Sequence, residues 1–369
     1  MTATLFTPIT IGTLTLPNRV VMAPLARLRN SEPDHLPSAL AVEYYKQRAS
    51  AGLIITEATD ISPTSRGYAG SPGIHTSEQI RAWRAVTDAV HLAGGRIAMQ
   101  LWHTGRVSHH QLQPNGTQPV APSAIRANTN TNILGEKGEL IRVPADEPRP
   151  LTIAEIKEIV ADFAKAALNA KQAGFDFVEL HGAHGYLLNQ FLSPKANVRT
   201  DEYGGTVENR ARFLLDVVDA VIAAWDGDYV GIRISPLGDF NGLCDLGQEE
   251  MAYYLIDALA QRKLAYLHLS EPDWAGSPAL THAFRVHLRT HYAGVLIAAG
   301  GYTLEKAEEM LGLGLIDAVA FGRTYIANPD LVERLRLGAP LNEPDPATFY
   351  GGGAEGYTDY PTLAQAQQK

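Results

Sequence analysis

The chain has one cysteine, Cys244, among 369 residues, so neither an internal disulfide framework nor an iron–sulfur cluster held by four thiolates can form within it. A reducing, cytoplasmic setting is the expectation that follows. Positive charge is scarce as well. The 31 Lys and Arg are outnumbered by 40 Asp and Glu, for a net charge of -9, and no basic block is present that could track a phosphate backbone. Nucleic acid is therefore not expected as a partner. No stretch comes near the roughly 18 apolar residues of a membrane span, so no membrane is expected either. The opening Met-Thr-Ala-Thr-Leu lacks the basic and apolar regions of a secretory leader. No β-like run is followed by G-x-G-x-x-G, which weighs against a doubly wound dinucleotide-binding sheet. What remains, with 45% hydrophobic and 19% charged residues, is the composition of an ordinary soluble globular protein.

The main pattern that is present is an alternation. Eight short β-branched or apolar runs stand at 19–23, 53–56, 96–101, 175–181, 229–234, 265–269, 295–299 and 317–321. Segments of helical periodicity separate them, at 36–51, 77–93, 153–173, 207–225, 248–262, 283–291 and 304–313, and a last helix is expected at 329–337. Thr152 stands three residues before Glu155 as a capping box, and Asn328 before Pro329 reads as an N-cap followed by proline at the first helical position. Eight strand–helix repeats predict an α/β fold, the (β/α)8 TIM barrel, because parallel strands need covering crossovers and closure leaves no edge. The interval 102–150 is too long for a simple loop and rich in Asn, Thr, Pro and Gly. It is expected to be an excursion over the barrel mouth after the third strand. One domain is expected over 1–369, with 338–369 as a C-terminal segment.

In such a barrel the carboxyl ends of the strands converge on one mouth. The sequence sets there Ala23-Pro24, Glu57-Ala58, Gln100, His181 with His184 and Tyr186, Arg233, the run 271–274 ending in Trp274, Gly300-Gly301 and Gly322-Arg323. So many amide, imidazole and guanidinium groups suggest a large polar ligand. Glycines after the seventh and eighth strands let backbone N–H groups approach an anion, and Arg323 adds a charged fork that matches phosphate oxygens. A phosphorylated ligand follows. His181 and His184 suit two chemistries, neutral imidazoles donating to a substrate oxygen or two ligands of a metal, beside the plain alternative of packing histidines. A catalytic zinc needs a third protein ligand, for which only His103, His109 or His110 of the excursion offers itself. A Schiff-base aldolase is disfavoured, since the sixth strand brings no lysine to its end.

Several longer strings complete the reading: Val-Met-Ala-Pro-Leu (21 to 25), Gln-Leu-Trp-His-Thr-Gly-Arg (100 to 106), Leu-His-Gly-Ala-His-Gly-Tyr (180 to 186), Asn-Gln-Phe-Leu-Ser-Pro (189 to 194), Arg-Thr-Asp-Glu-Tyr-Gly-Gly-Thr-Val-Glu-Asn-Arg (199 to 210), Ala-Phe-Gly-Arg (320 to 323) and Gly-Tyr-Thr-Asp-Tyr-Pro (356 to 361). Together they resemble the Old Yellow Enzyme family, in its bacterial maleimide- and nitrate-ester-reducing branch, from about Leu5 to Leu363. The resemblance implies bound FMN and a nicotinamide donor, NADPH or NADH, reducing activated alkenes in a ping-pong sequence. It implies that Gln100 and Arg233 meet the flavin pyrimidine, that Ala23, Pro24 and Ala58 line the isoalloxazine, and that Gly301, Gly322 and Arg323 take the phosphate. Leu25, Ala26, Ala299 and Gly300 complete the implied cofactor set. His181 and His184 would grip a substrate oxygen, Tyr186 would donate a proton, and Tyr68, Trp102, Trp274 and Tyr357 would wall the pocket.

Ala26 departs from the pattern that resemblance sets. Family branches carry threonine or cysteine there, a side chain that donates near flavin O4. Alanine cannot donate, so the flavin is expected to be harder to reduce. Arg106, Arg126 and Arg142 in the excursion suit either nicotinamide donor. The expected substrates are small electrophilic alkenes, with no resident metal and a monomeric state. Two alternatives stay open: a metal-dependent barrel hydrolase built on the histidine pair, and a flavin-binding protein without catalysis, against which Tyr186 weighs.

Overall fold

Strands buried on both faces read as near-continuous apolar runs, and eight of them close here into a barrel. The computed structural model describes residues 4–368. Its strands are β1 (Val20–Met22), β2 (Leu53–Ile55), β3 (Ile97–Trp102), β4 (Phe177–Gly182), β5 (Val230–Ile234), β6 (Tyr266–Ser270), β7 (Leu296–Ala299) and β8 (Ala318–Phe321). Each pairs in parallel with the next, and β8 returns to β1, so the sheet has no edge. All eight lie within about two residues of the runs expected from sequence. The covering helices are α1 (Ala39–Lys46), α2 (Ser77–Leu92), α3 (Ile153–Gln172), α4 (Val207–Trp225), α5 (Glu249–Ala260), α6 (His282–His291), α7 (Leu304–Gly312) and α8 (Leu331–Leu337).

Alternation along the strands splits the apolar residues into two layers. Outward side chains such as Val20, Ile54, Met99, Leu180 and Ile232 pack under the helices. Inward ones, including Val21, Ile55, Ala98, Phe177, Tyr266 and Ile297, fill the lower barrel. The floor is an antiparallel hairpin, Ile9–Ile11 with Leu14–Leu16, whose Ile9, Ile11 and Leu16 join that inner layer. Its turn needs Gly12: φ is +55°, and a Cβ there would lie 1.9 Å from the Asp228 carbonyl oxygen. Gly231 of β5 is required for a different reason. A Cβ at that position would stand 2.4 Å from the Tyr266 ring on the neighbouring strand.

One local expectation is corrected. Asn328 does not cap a helix at Pro329: α8 begins at Leu331 behind Asp330. The Asn328 amide instead donates to the carbonyls of Thr324 and Asn342, and its oxygen accepts the Asn342 N–H. A five-residue helix, Arg323–Ala327, precedes it and was not expected. The excursion holds the antiparallel pair Asn130–Leu134 and Leu140–Pro144. The Thr152–Glu155 capping box forms as expected, with Glu155 N donating to Thr152 Oγ1 and Thr152 N to Glu155 Oε2. Among the described residues no helix is long and apolar enough to cross a membrane.

Candidate active site

The inward positions change character toward the carboxyl ends of the strands. Where Ala98 and Phe177 are apolar, the next inward residues are Gln100 on β3, Glu179 and His181 on β4, Arg233 on β5, and His268 and Ser270 on β6. Register makes them neighbours: Glu179 pairs with Gln100, and Arg233 with both His181 and His268. Gln100 Nε2 donates to Glu179 Oε1 at 2.8 Å, and Glu179 Oε2 lies 2.8 Å from His268 Nδ1. Spending its N–H on Glu179 turns the Gln100 carbonyl oxygen free as an acceptor. Arg233 is buried, and burial pulls its guanidinium down to about 10, against which Glu179 acts. Its Nε has no hydrogen-bond partner among the described residues.

On the turn after β4 the two histidines take distinct settings. His181 Nδ1 accepts the Ala183 N–H at 3.3 Å, so the neutral ring carries its proton on Nε2. His184 sits in the left-handed region at φ +60°, its N–H donating to Ser235 Oγ and its Nε2 lying 2.8 Å from Ser270 Oγ. Burial, followed by the Arg233 charge, holds both rings well below the usual histidine range, so both are neutral. Tyr186 follows, with its hydroxyl 3.1 Å from Tyr68 Oη and pushed up to about 12 by burial. Trp102 stacks on Tyr68 and on His181 at centroid distances of 5.7 and 6.0 Å, and meets Tyr186 edge-on at 4.9 Å. Its indole N–H donates to buried Asp60 at 2.6 Å.

Trp274, 42% exposed, stands across the mouth, edge-on to His184 at 5.6 Å and 6.0 Å from the Arg323 guanidinium. Phe240 packs against both His184 and Trp274. Ala23 is buried and its N–H donates to Phe321, while Leu25 reaches Gly322. Glu57 holds the segment containing Ala26, accepting the N–H groups of Arg27 and Leu28 and the Asn30 amide. Ala58 joins the cluster of Trp102 and Tyr186.

The structure separates one expected wall residue from the rest. Tyr357 is buried away from that cluster, stacked on Tyr44 at 4.2 Å and lying under Arg27 and Arg29. Tyr350, 57% exposed, is the C-terminal aromatic on the side of Tyr68 and Tyr186. The segment that carries it is fastened through its main chain. Arg27 donates to the carbonyls of Phe349, Thr348 and Gly356, Arg29 to those of Gly353, Thr348 and Glu355, and Arg334 and Asn342 to that of Pro361. Arg106 is corrected as well. Buried and donating to the carbonyls of Ile125 and Gly242, it is no free clamp for a donor; Arg126 and Arg142 are exposed.

FMN fits these residues on their own evidence. Buried Arg233 has an Nε without a hydrogen-bond partner, Gln100 presents a free carbonyl, and exposed Arg323 makes no hydrogen bond or ion pair, all among the described residues. Gly322 has open space toward the mouth, its would-be Cβ meeting only Leu25 at 3.5 Å. Gly301 N–H donates to Asp273 at 3.1 Å, so a phosphate there would displace that carboxylate. A metal fits less well. Neither His181 nor His184 belongs to any group of three His, Cys, Asp or Glu placed to share an ion among the described residues.

The comparisons with known proteins agree. Residues 4–342 match the NADH:flavin oxidoreductase / NADH oxidase family. The 12-oxophytodienoate reductase 1 of Oryza sativa subsp. japonica is 44% identical over 371 residues, covering 99% of this chain and 94% of its own. Morphinone reductase in complex with tetrahydroNAD superposes with a TM-score of 0.94 at 53% identity, covering 99% of both chains. The old yellow enzyme homologue from Zymomonas mobilis gives 0.92 at 40% identity, over 98% of this chain and all of the other. This chain belongs to that family, the Old Yellow Enzymes, and is an FMN-dependent NAD(P)H oxidoreductase of the ene-reductase kind.

Proposed function

We propose that the protein reduces small alkenes activated by a carbonyl, nitro or imide group, and nitrate esters among related electrophiles. FMN held by Gln100, Arg233 and Arg323 would supply hydride exchange between a nicotinamide donor and the β carbon of the alkene, in a ping-pong sequence. An oxo group stands in the substrate names of both the 12-oxophytodienoate and the morphinone reductases, which supports an oxygen as the handle.

The observation that carries this reading is the turn that sets His181, His184 and Tyr186 together at one strand end. His181 offers Nε2–H to the substrate oxygen. Ser270 Oγ accepts the Trp274 N–H at 3.3 Å and lies 2.8 Å from His184 Nε2; with the Ser270 hydroxyl donating to that nitrogen, His184 carries its proton on Nδ1 and is the second donor. Negative charge grows on the held oxygen as the β carbon is reduced, so both hydrogen bonds strengthen toward the transition state. Tyr186, raised to about 12, stays protonated across the neutral range and supplies the α proton, with Tyr68 holding its hydroxyl. Tyr186→Phe is expected to slow alkene reduction by about 10²–10⁴ in rapid-mixing experiments, with flavin reduction by NADPH far less affected. Equal slowing of the two half-reactions would remove Tyr186 from the role.

A further inference from the structure

The outer wall of the barrel carries a cluster that the flavin chemistry does not use. His287 and His291 are four apart on α6 and share one helix face, their rings stacked at 3.9 Å with planes 17° apart. Asp257 reaches across from α5, its Oδ1 2.7 Å from His291 Nδ1. One ligand atom from each of the three lies within 4.8 Å of the other two. The His287 ring is wedged between His291 and Tyr253, and its Nε2 is buried with no hydrogen-bond partner among the described residues. A buried polar nitrogen left unpaired is uncommon and points to a ligand.

Two imidazole nitrogens and one carboxylate oxygen suit a borderline divalent transition ion, not Mg²⁺ or Ca²⁺, which take oxygens. Zn–N bonds of about 2.0–2.1 Å set tetrahedral donors about 3.4 Å apart. The side chains of His291 and Asp257 are 40% and 54% exposed, so they are free to turn and close that distance. The excursion holds another such group, His109, His110 and Asp146, but among the described residues it offers no buried nitrogen left without a partner as His287 does.

We propose that Asp257, His287 and His291 bind a divalent transition metal, Zn²⁺ being the natural probe, with water in the remaining position. The ion staples α5 to α6 from outside the barrel, and the inference stands apart from the flavin reading. The test is a calorimetric titration of tag-free, chelator-stripped holoenzyme with Zn²⁺ near neutral pH, with the melting temperature read in parallel. One ion per chain and a raised melting temperature are expected. His291→Ala abolishes both, and His287→Phe does so while keeping a ring packed against Tyr253. Asp257→Asn, which removes the charged oxygen ligand, weakens binding by at least about tenfold. His110→Ala changes nothing, and the flavin spectrum confirms that every variant is folded. Absence of saturable binding, binding that survives in the His287→Phe/His291→Ala double variant, or binding lost with His110→Ala would each overturn the assignment.

Discussion

Ala26 shows how much one side chain can set. Its backbone is held by the neighbouring bonds to Glu57, so a hydroxyl introduced there would take a fixed direction. Ala26→Thr is expected to raise the flavin midpoint potential and speed the NAD(P)H half-reaction; a potentiometric titration giving the same midpoint would sink the idea. Asp60 permits a test by pH. Burial lifts its carboxyl from 3.8 to about 7, so between those values the folded chain binds more protons than the unfolded one. Its contribution to stability is therefore full below about 4 and falls as pH rises through about 7. In Asp60→Asn the oxygen still accepts from Trp102, and chemical denaturation at pH 5 and pH 8 should show the wild-type fall flattened. At this scale the mouth residues were legible because strand ends announce themselves. Glu179 and His268 were not, since nothing in the local strings distinguishes an inward polar residue from an ordinary strand position until register sets it beside Gln100.

At the scale of the element, the helix of the capping box offers the clearest check. Thr152→Ala removes the acceptor for the Glu155 N–H and should cost about 0.5–2 kcal/mol in denaturant unfolding. The strands were legible because burial on both faces forces apolar runs, and α4 was read to its last residue. The hairpin of the excursion was not, because Asn-Thr-Asn-Ile-Leu has little strand propensity of its own. Pairing with Leu140–Pro144 and a bond from Thr131 to the Gly67 carbonyl hold it in place. Asn328 misled for a related reason. Asparagine before proline satisfies the local rule for a helix start, but the chain uses that amide to clamp the 342 region instead.

For the molecule as a whole, the cofactor is a structural ligand as well as a reagent. FMN that binds the folded chain alone should stabilise it by about 2.7 kcal/mol at a hundredfold excess over Kd, so the melting temperature of the apoprotein should climb with added FMN. Riboflavin should help less, and Arg323→Ala should narrow the difference; equal stabilisation by both flavins in the parent would place the phosphate elsewhere. The C-terminal strap has a different consequence. Its arginine and asparagine anchors grip carbonyl groups, which every residue possesses, so exposed side chains such as that of Tyr350 are not what holds its path. Tyr350→Ala should therefore leave stability within about 0.5 kcal/mol while shifting the relative rates for bulky and small enones. The fold thus keeps a rewritable margin beside Tyr186: the main chain guards the position, and mutation is free to edit the preference.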